Sequence, residues 1–141
     1  MCQMDVKGAY LNGRLKERVY MLQPKGFDDG TGRVCLLIKT LYRLKQSGRE
    51  WNIKLDTKLQ RCSYRRLRSD PCVYIWHDGD KYSIITVWVD DLLLFTTSEL
   101  ILTKMANNLH AKWEIMDLGE PAKIVGIEIT CTEDSITLSQ K

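Results

Sequence analysis

The five cysteines lack the spacing of a metal knuckle or a disulfide framework: Cys2, Cys35, Cys62, Cys72 and Cys131 are odd in number, far apart and form no CxxC pair. Free thiols in a reducing compartment are the expectation. No apolar run approaches the roughly 20 residues that span a bilayer, and the opening MCQMDVKGAY has no charged segment leading into an apolar one. The chain therefore reads as intracellular, with no membrane partner. Repeats, low-complexity tracts and an evident linker are absent as well. Strong charge of either sign is also missing, because a net charge of +3 permits a nucleic-acid partner without requiring one. His77 and His110 have no plausible partner nearby in sequence and receive no chemical role.

What is present suits one mixed domain: 141 residues, 44% hydrophobic and 28% charged, enough to build a core. A short strand is expected around Met4–Val6, then a turn at Asn12-Gly13, an extended VYMLQ, a loop at DDGTG and a strand VCLLIK. Ser47 and Glu50 have the spacing of a capping box, and Trp51, Leu55, Leu59 and Cys62 recur on one face of the helix that follows. After the basic stretch RCSYRRLR, the strands CVYIWH and KYSIITVWV are expected to turn at Asp78-Gly79, and LLLFTT to leave again. A second helix fits residues 98–113, with Ser98 as cap and Ile101, Met105, Leu109 and Trp113 four residues apart. KIVGIEIT and SITLSQ read as a last hairpin across Thr132-Glu133-Asp134. The sum is an α+β domain, an antiparallel sheet with two helices packed on one face.

IITVWVDDLLLF poses the chemical question, because two adjacent carboxylates stand inside the most apolar segment with no basic residue beside them. Asp28-Asp29 makes the contrast: it lies among glycines in a polar loop, where solvation suffices. Asp90 and Asp91 instead sit at a sheet end, where like charges raise each other's pKa unless a cation neutralises them. Mg²⁺ takes oxygen ligands, usually one or two carboxylates completed by waters and phosphates. Asp5 also ends a short extended segment, QMDV, which as an adjacent antiparallel strand would bring it beside the hairpin. Three carboxylates so placed suit two metals about 3.5–4 Å apart, one activating a hydroxyl and one stabilising a leaving phosphate oxygen.

The linked motifs carry a resemblance over essentially the whole chain. MDVKGAYLNGRLKERVYMLQPKGF resembles motif A of copia-type LTR-retrotransposon reverse transcriptases, LYRLKQSGREWN their motif B region and WVDD their motif C, with SDPCVYIW, MDLGEPAKIVGIEI and LSQK in the same order. The resemblance implies a polymerase palm over residues 1–141. It implies Mg²⁺ as cofactor, with Mn²⁺ as a substitute, and template-primer nucleic acid and deoxynucleoside triphosphates as partners. Asp5, Asp90 and Asp91 match the catalytic metal ligands, with the Val6 carbonyl as a backbone ligand. Tyr10 matches the aromatic residue that discriminates against a ribose 2′-hydroxyl, and Gln46 and Ser47 fall under template and nucleotide, although Ser47 also suffices as a helix cap. Trp88 and Gly126, the latter in a hairpin like the primer grip, match primer-side positions. Arg61, Arg65, Arg66 and Arg68 suit phosphate contacts, but a solvated basic loop is the favoured reading.

Three positions depart from the family pattern. Arg43 and Gly48 stand where its LYGLKQSP run has glycine and proline, and Trp88 replaces the tyrosine of YVDD. The chain begins four residues before Asp5, so upstream fingers, thumb and RNase H are expected to belong to other segments of an intact polyprotein. Cytoplasm or a virus-like particle is the expected location of such an element. Since phosphoryl transfer depends on positioning, this stretch alone is expected to be weakly active or inactive. The competing reading is a non-enzymatic remnant that at most binds nucleic acid.

Overall fold

The computed structural model of the chain describes every residue except Glu133 and Lys141. The fold is α+β, with two helices and antiparallel sheets, as the alternation of apolar periods predicts. Its contacts divide it into two compact units, Met1–Lys7 with Leu59–Lys141, and Gly8–Lys58.

The first unit is built on a six-stranded antiparallel sheet. Its strands are β1 (Cys2–Val6), β4 (Arg65–Arg66), β5 (Val73–Asp78), β6 (Lys81–Trp88), β7 (Asp91–Thr96) and β8 (Ile115–Gly119), in the spatial order β4-β5-β6-β7-β1-β8. Side chains alternate between its faces. Cys2, Met4 and Val6 on β1 share one face with Leu92 and Leu94 on β7 and with Ile85 on β6, and all six are buried. Helix α2 (Glu99–His110) packs against β7 and buries Met105 and Leu109. Each such side chain contributes about 1.5–3 kcal/mol by leaving water. Tyr64 adds a polar tie, its hydroxyl donating to Ser83 Oγ at 2.8 Å inside this layer.

Several boundaries differ from expectation. The β5–β6 loop is Gly79-Asp80 rather than Asp78-Gly79, because Asp78 pairs with Lys81 and the left-handed residue is Gly79. The basic stretch is partly strand, since Arg65 pairs with Ile75 and Arg66 with Tyr74. Helix α2 stops at His110, and Trp113 is buried beyond its end with its backbone N–H donating to the Leu109 carbonyl. Strand β8 was not expected: IMDLG has an acidic residue at its centre and mostly exposed side chains, but it completes the edge beside β1. Cys2 bridges to it by donating its thiol to Asp117 Oδ1 at 3.1 Å. Burial, then this contact with the carboxylate, pushes the Cys2 thiol up to about 11, which keeps it inert.

A three-stranded sheet follows, β9 (Lys123–Ile124), β10 (Ile127–Cys131) and β11 (Ile136–Ser139), ordered β11-β10-β9. The turn residue Glu133 of the expected last hairpin lies outside the described residues; the pairing of β10 with β11 on either side of it is as expected.

The second unit holds the ribbon β2 (Arg14–Leu22) with β3 (Val34–Lys39), a short 3-10 turn (Ala9–Asn12) and most of helix α1 (Ser47–Arg61). The helix buries Trp51 and Leu55 as its periodicity predicts. Its start differs: Ser47 Oγ donates to the Leu41 carbonyl, while Glu50 takes Arg49 and Lys16, so the two engage these partners instead of forming the expected capping box. Asp29 also does more than meet solvent. It accepts from the Thr31 hydroxyl, Gln23 and Arg33, and these donors in that order hold its carboxyl below the usual carboxylate range.

Candidate active site

Asp5, Asp90 and Asp91 are assembled by two strand pairings. Asp5 stands directly opposite Asp91 in the β1–β7 register, and Trp88 opposite Asp91 in the β6–β7 register, so all three side chains belong to one face of the sheet. This is the face opposite the buried Met4–Leu92 layer. Asp90 occupies the two-residue loop between β6 and β7, and its carbonyl accepts the Val6 backbone N–H at 2.8 Å, which locks the loop to β1. Val89 in that loop has φ 56°, a conformation that a β-branched residue rarely adopts. Apolar strands on both sides hold the loop there.

The electrostatics follow from this convergence. Burial first, then the charge of Asp91 and then that of Asp90, raises the Asp5 carboxyl above its ordinary value. The structure also buries Asp90 Oδ1. Gln3, two residues before Asp5 on the same face, donates its amide to Asp91 Oδ1 at 3.2 Å. Among the described residues no group of three or more His, Cys, Asp or Glu is so placed that it could hold a metal ion. Mg²⁺ asks for less, one or two carboxylates completed by waters and phosphates, and Asp5 and Asp91, opposite each other across β1 and β7, supply these. The Val6 side chain is fully buried on the other face, so only its backbone is available to such a site.

The remaining predicted residues fall elsewhere. Gly126 lies in the loop between β9 and β10, where Val125 and Gly126 both have positive φ, 50° and 80°. That pair is a tight hairpin turn, and a Cβ at Gly126 would meet nothing within 4 Å, so backbone conformation accounts for the glycine. Tyr10 and Gln46 belong to the second unit. Tyr10 sits in the 3-10 turn, its ring 4.9 Å from that of Tyr42 and its carbonyl accepting from Thr40. The Lys54 ammonium holds the same turn through the Asn12 carbonyl at 2.7 Å. Gly13 closes it, since a Cβ there would come within 2.4 Å of Thr40 Oγ1. A Cβ at Gly48 would lie 3.6 Å from the Tyr10 hydroxyl, an ordinary contact. Gln46 precedes α1, and its carbonyl accepts the Glu50 N–H at 3.0 Å. Gln3 is the residue that sequence reading missed; its signal was a polar side chain in phase with Asp5 on a short strand.

An antiparallel sheet that sets carboxylates of two adjacent strands beside a tight hairpin is palm-like. The reverse transcriptase (RNA-dependent DNA polymerase) family matches residues 1–141, and the chain belongs to that family, in its copia-type branch. It is 36% identical to the retrovirus-related Pol polyprotein from transposon TNT 1-94 of Nicotiana tabacum, over 99% of this chain and 11% of that protein. To the Pol polyprotein from transposon RE1 of Arabidopsis thaliana it is 33% identical, over 99% of this chain and 10% of that protein. The transposon Ty1-DR4 Gag-Pol polyprotein of Saccharomyces cerevisiae is 33% identical, with 90% of this chain and 8% of that protein covered. The chain thus spans about a tenth of the length of these curated relatives. No solved structure matches it.

Proposed function

We propose that residues 1–141 are the palm of a reverse transcriptase, which adds deoxynucleotides to a primer 3′-hydroxyl on an RNA or DNA template. The observation that carries this is the register placing Asp5 opposite Asp91, with Asp90 in the adjoining loop. Bound Mg²⁺ supplies Lewis acidity at the attacking hydroxyl and the leaving phosphate oxygen. Asp5, Asp90 and Asp91 would hold it by their carboxylates, with the Val6 carbonyl as the backbone candidate. Trp88, 57% exposed beside Asp91, offers an aromatic face to the primer end. Tyr10 and Gln46 are assigned to the incoming nucleotide and Gly126 to the primer by family resemblance. The natural partners are template-primer, nucleoside triphosphates and the other segments of a Pol polyprotein, within the cytoplasm or a virus-like particle. No helix among the described residues is long and apolar enough to cross a membrane.

Because positioning dominates phosphoryl transfer, the stretch alone is proposed to be weak or inactive. A second reading, a non-enzymatic remnant that at most binds nucleic acid, is favoured by Arg43. That residue has φ 74° where the family has glycine, which places a long cationic side chain on a strained turn. Primer extension on an RNA template with Mg²⁺, comparing the chain with Asp90→Asn, separates the two. Extension lost in the variant supports the palm as a catalyst, equal extension in both refutes the carboxylate assignment, and none in either leaves the ancestry intact and favours an inactive fragment.

A further inference from the structure

We propose that Gln3 is a positioning residue: its side-chain amide orients the Asp91 carboxylate for the divalent cation that the carboxylates receive. The inference rests on the palm reading above and goes beyond it in assigning a role to a residue outside the carboxylate set. Gln3 lies two residues before Asp5 on β1, hence on the same face, and is opposite Leu93 while Asp5 is opposite Asp91. Its Nε2 donates to Asp91 Oδ1 at 3.2 Å, and the residue is only 8% exposed. A buried amide without a hydrogen bond costs free energy, so this contact is firmly selected in the folded state.

The type of donor matters. A lysine or arginine at position 3 would also reach a carboxylate, but its charge would cancel the negative field that attracts a cation. The neutral amide orients Asp91 and leaves its charge in place. Groups that hydrogen-bond a liganding carboxylate fix its direction, and their loss typically lowers metal affinity about 10–100-fold. Because Asp91 is one of the two paired carboxylates, misorienting it weakens the site without removing a ligand.

The test is Mn²⁺ binding, followed by electron paramagnetic resonance on the whole chain, for the native protein, Gln3→Met, Gln3→Lys and Asp90→Asn. Gln3→Met keeps length and volume and removes the donor. It is expected to bind Mn²⁺ about 10–100-fold more weakly while melting within a few degrees of the native protein. Gln3→Lys keeps a donor but adds charge, and is expected to lose affinity too. Native affinity in Gln3→Met overturns the proposal. If Gln3→Met does not fold, Gln3→Leu, which is neutral, of similar volume and without a donor, carries the same expectation.

Failure of the palm reading gives a different result, namely Mn²⁺ binding in the native chain that is absent or unaffected by Asp90→Asn. The orientation is then read without metal from the side-chain scalar couplings of Asp91. One rotamer in the native protein and averaged rotamers in Gln3→Met support the positioning role, and unchanged couplings overturn it.

Discussion

Arg43 and Val89 show how much a single backbone angle stores. Arg43 stands at φ 74°, where an L side chain costs about 1–2 kcal/mol and glycine costs none, so Arg43→Gly is expected to stabilise the chain by about 1 kcal/mol in urea unfolding. An unchanged midpoint would show that Arg43 makes compensating contacts. The steric reason for glycine in the family motif is thus visible in this chain even though its own residue is arginine. Asp5 yields a second expectation, with a definite sign. Its carboxyl is raised by burial, then by Asp91 and Asp90, so the folded state holds this proton more tightly than the unfolded state does. The associated stability is full below the unfolded carboxyl value near 4 and falls as pH rises through the folded value. Asp5→Asn should therefore melt above the native protein at neutral pH, with the difference closing in acid. A pH-independent difference would exclude an electrostatic origin.

Among the elements, the β6–β7 hairpin and the β2–β3 ribbon are opposites. The hairpin lies inside the six-stranded sheet with Leu92 and Leu94 buried beneath it, whereas Tyr20, Leu22, Val34, Leu36 and Ile38 of the ribbon are exposed. A two-stranded ribbon is marginal by itself, so amide hydrogens of β2–β3 are expected to exchange much faster than those of β6–β7. Equal protection would show that the ribbon is covered in solution. Leu109 marks the helix contribution: it is fully buried at the end of α2, and Leu109→Ala should cost about 2–5 kcal/mol in thermal or urea unfolding. Element types were largely legible, since β-forming apolar runs marked β5, β6 and β7 and the four-residue spacing marked α2. Strand β8 was not, because its partner β1 supplies the pairing that its own residues do not advertise. The capping box was misread for a related reason, as Leu41, Arg49 and Lys16 compete for Ser47 and Glu50.

For the whole molecule, the carboxylates raise the central expectation. If Asp90 holds a catalytic metal, losing a charge stabilisation of several kcal/mol should reduce primer extension by about 10³-fold in Asp90→Asn wherever the native chain extends. Template-primer binding should weaken as salt rises, because phosphate contacts release counterions, and it should do so gently for a chain of net charge +3. Salt-independent binding would point away from the phosphate backbone.

By itself the sequence determined the family and the α+β class and named Asp5, Asp90 and Asp91 as the candidate carboxylates, because these depend on residue types, local periods and motifs in order. Only the tertiary structure decided what stands beside them. Gln3 and Asp91 are 88 positions apart, and nothing local relates them. Antiparallel registry aligns β1 with β7, sends alternate side chains to one face, and so turns distant residues into a hydrogen-bonded, charge-coupled group. The physical reason is the burial of Met4, Leu92 and Leu94 on the opposite face, since a one-residue slip would move those side chains into water and the aspartates into the core.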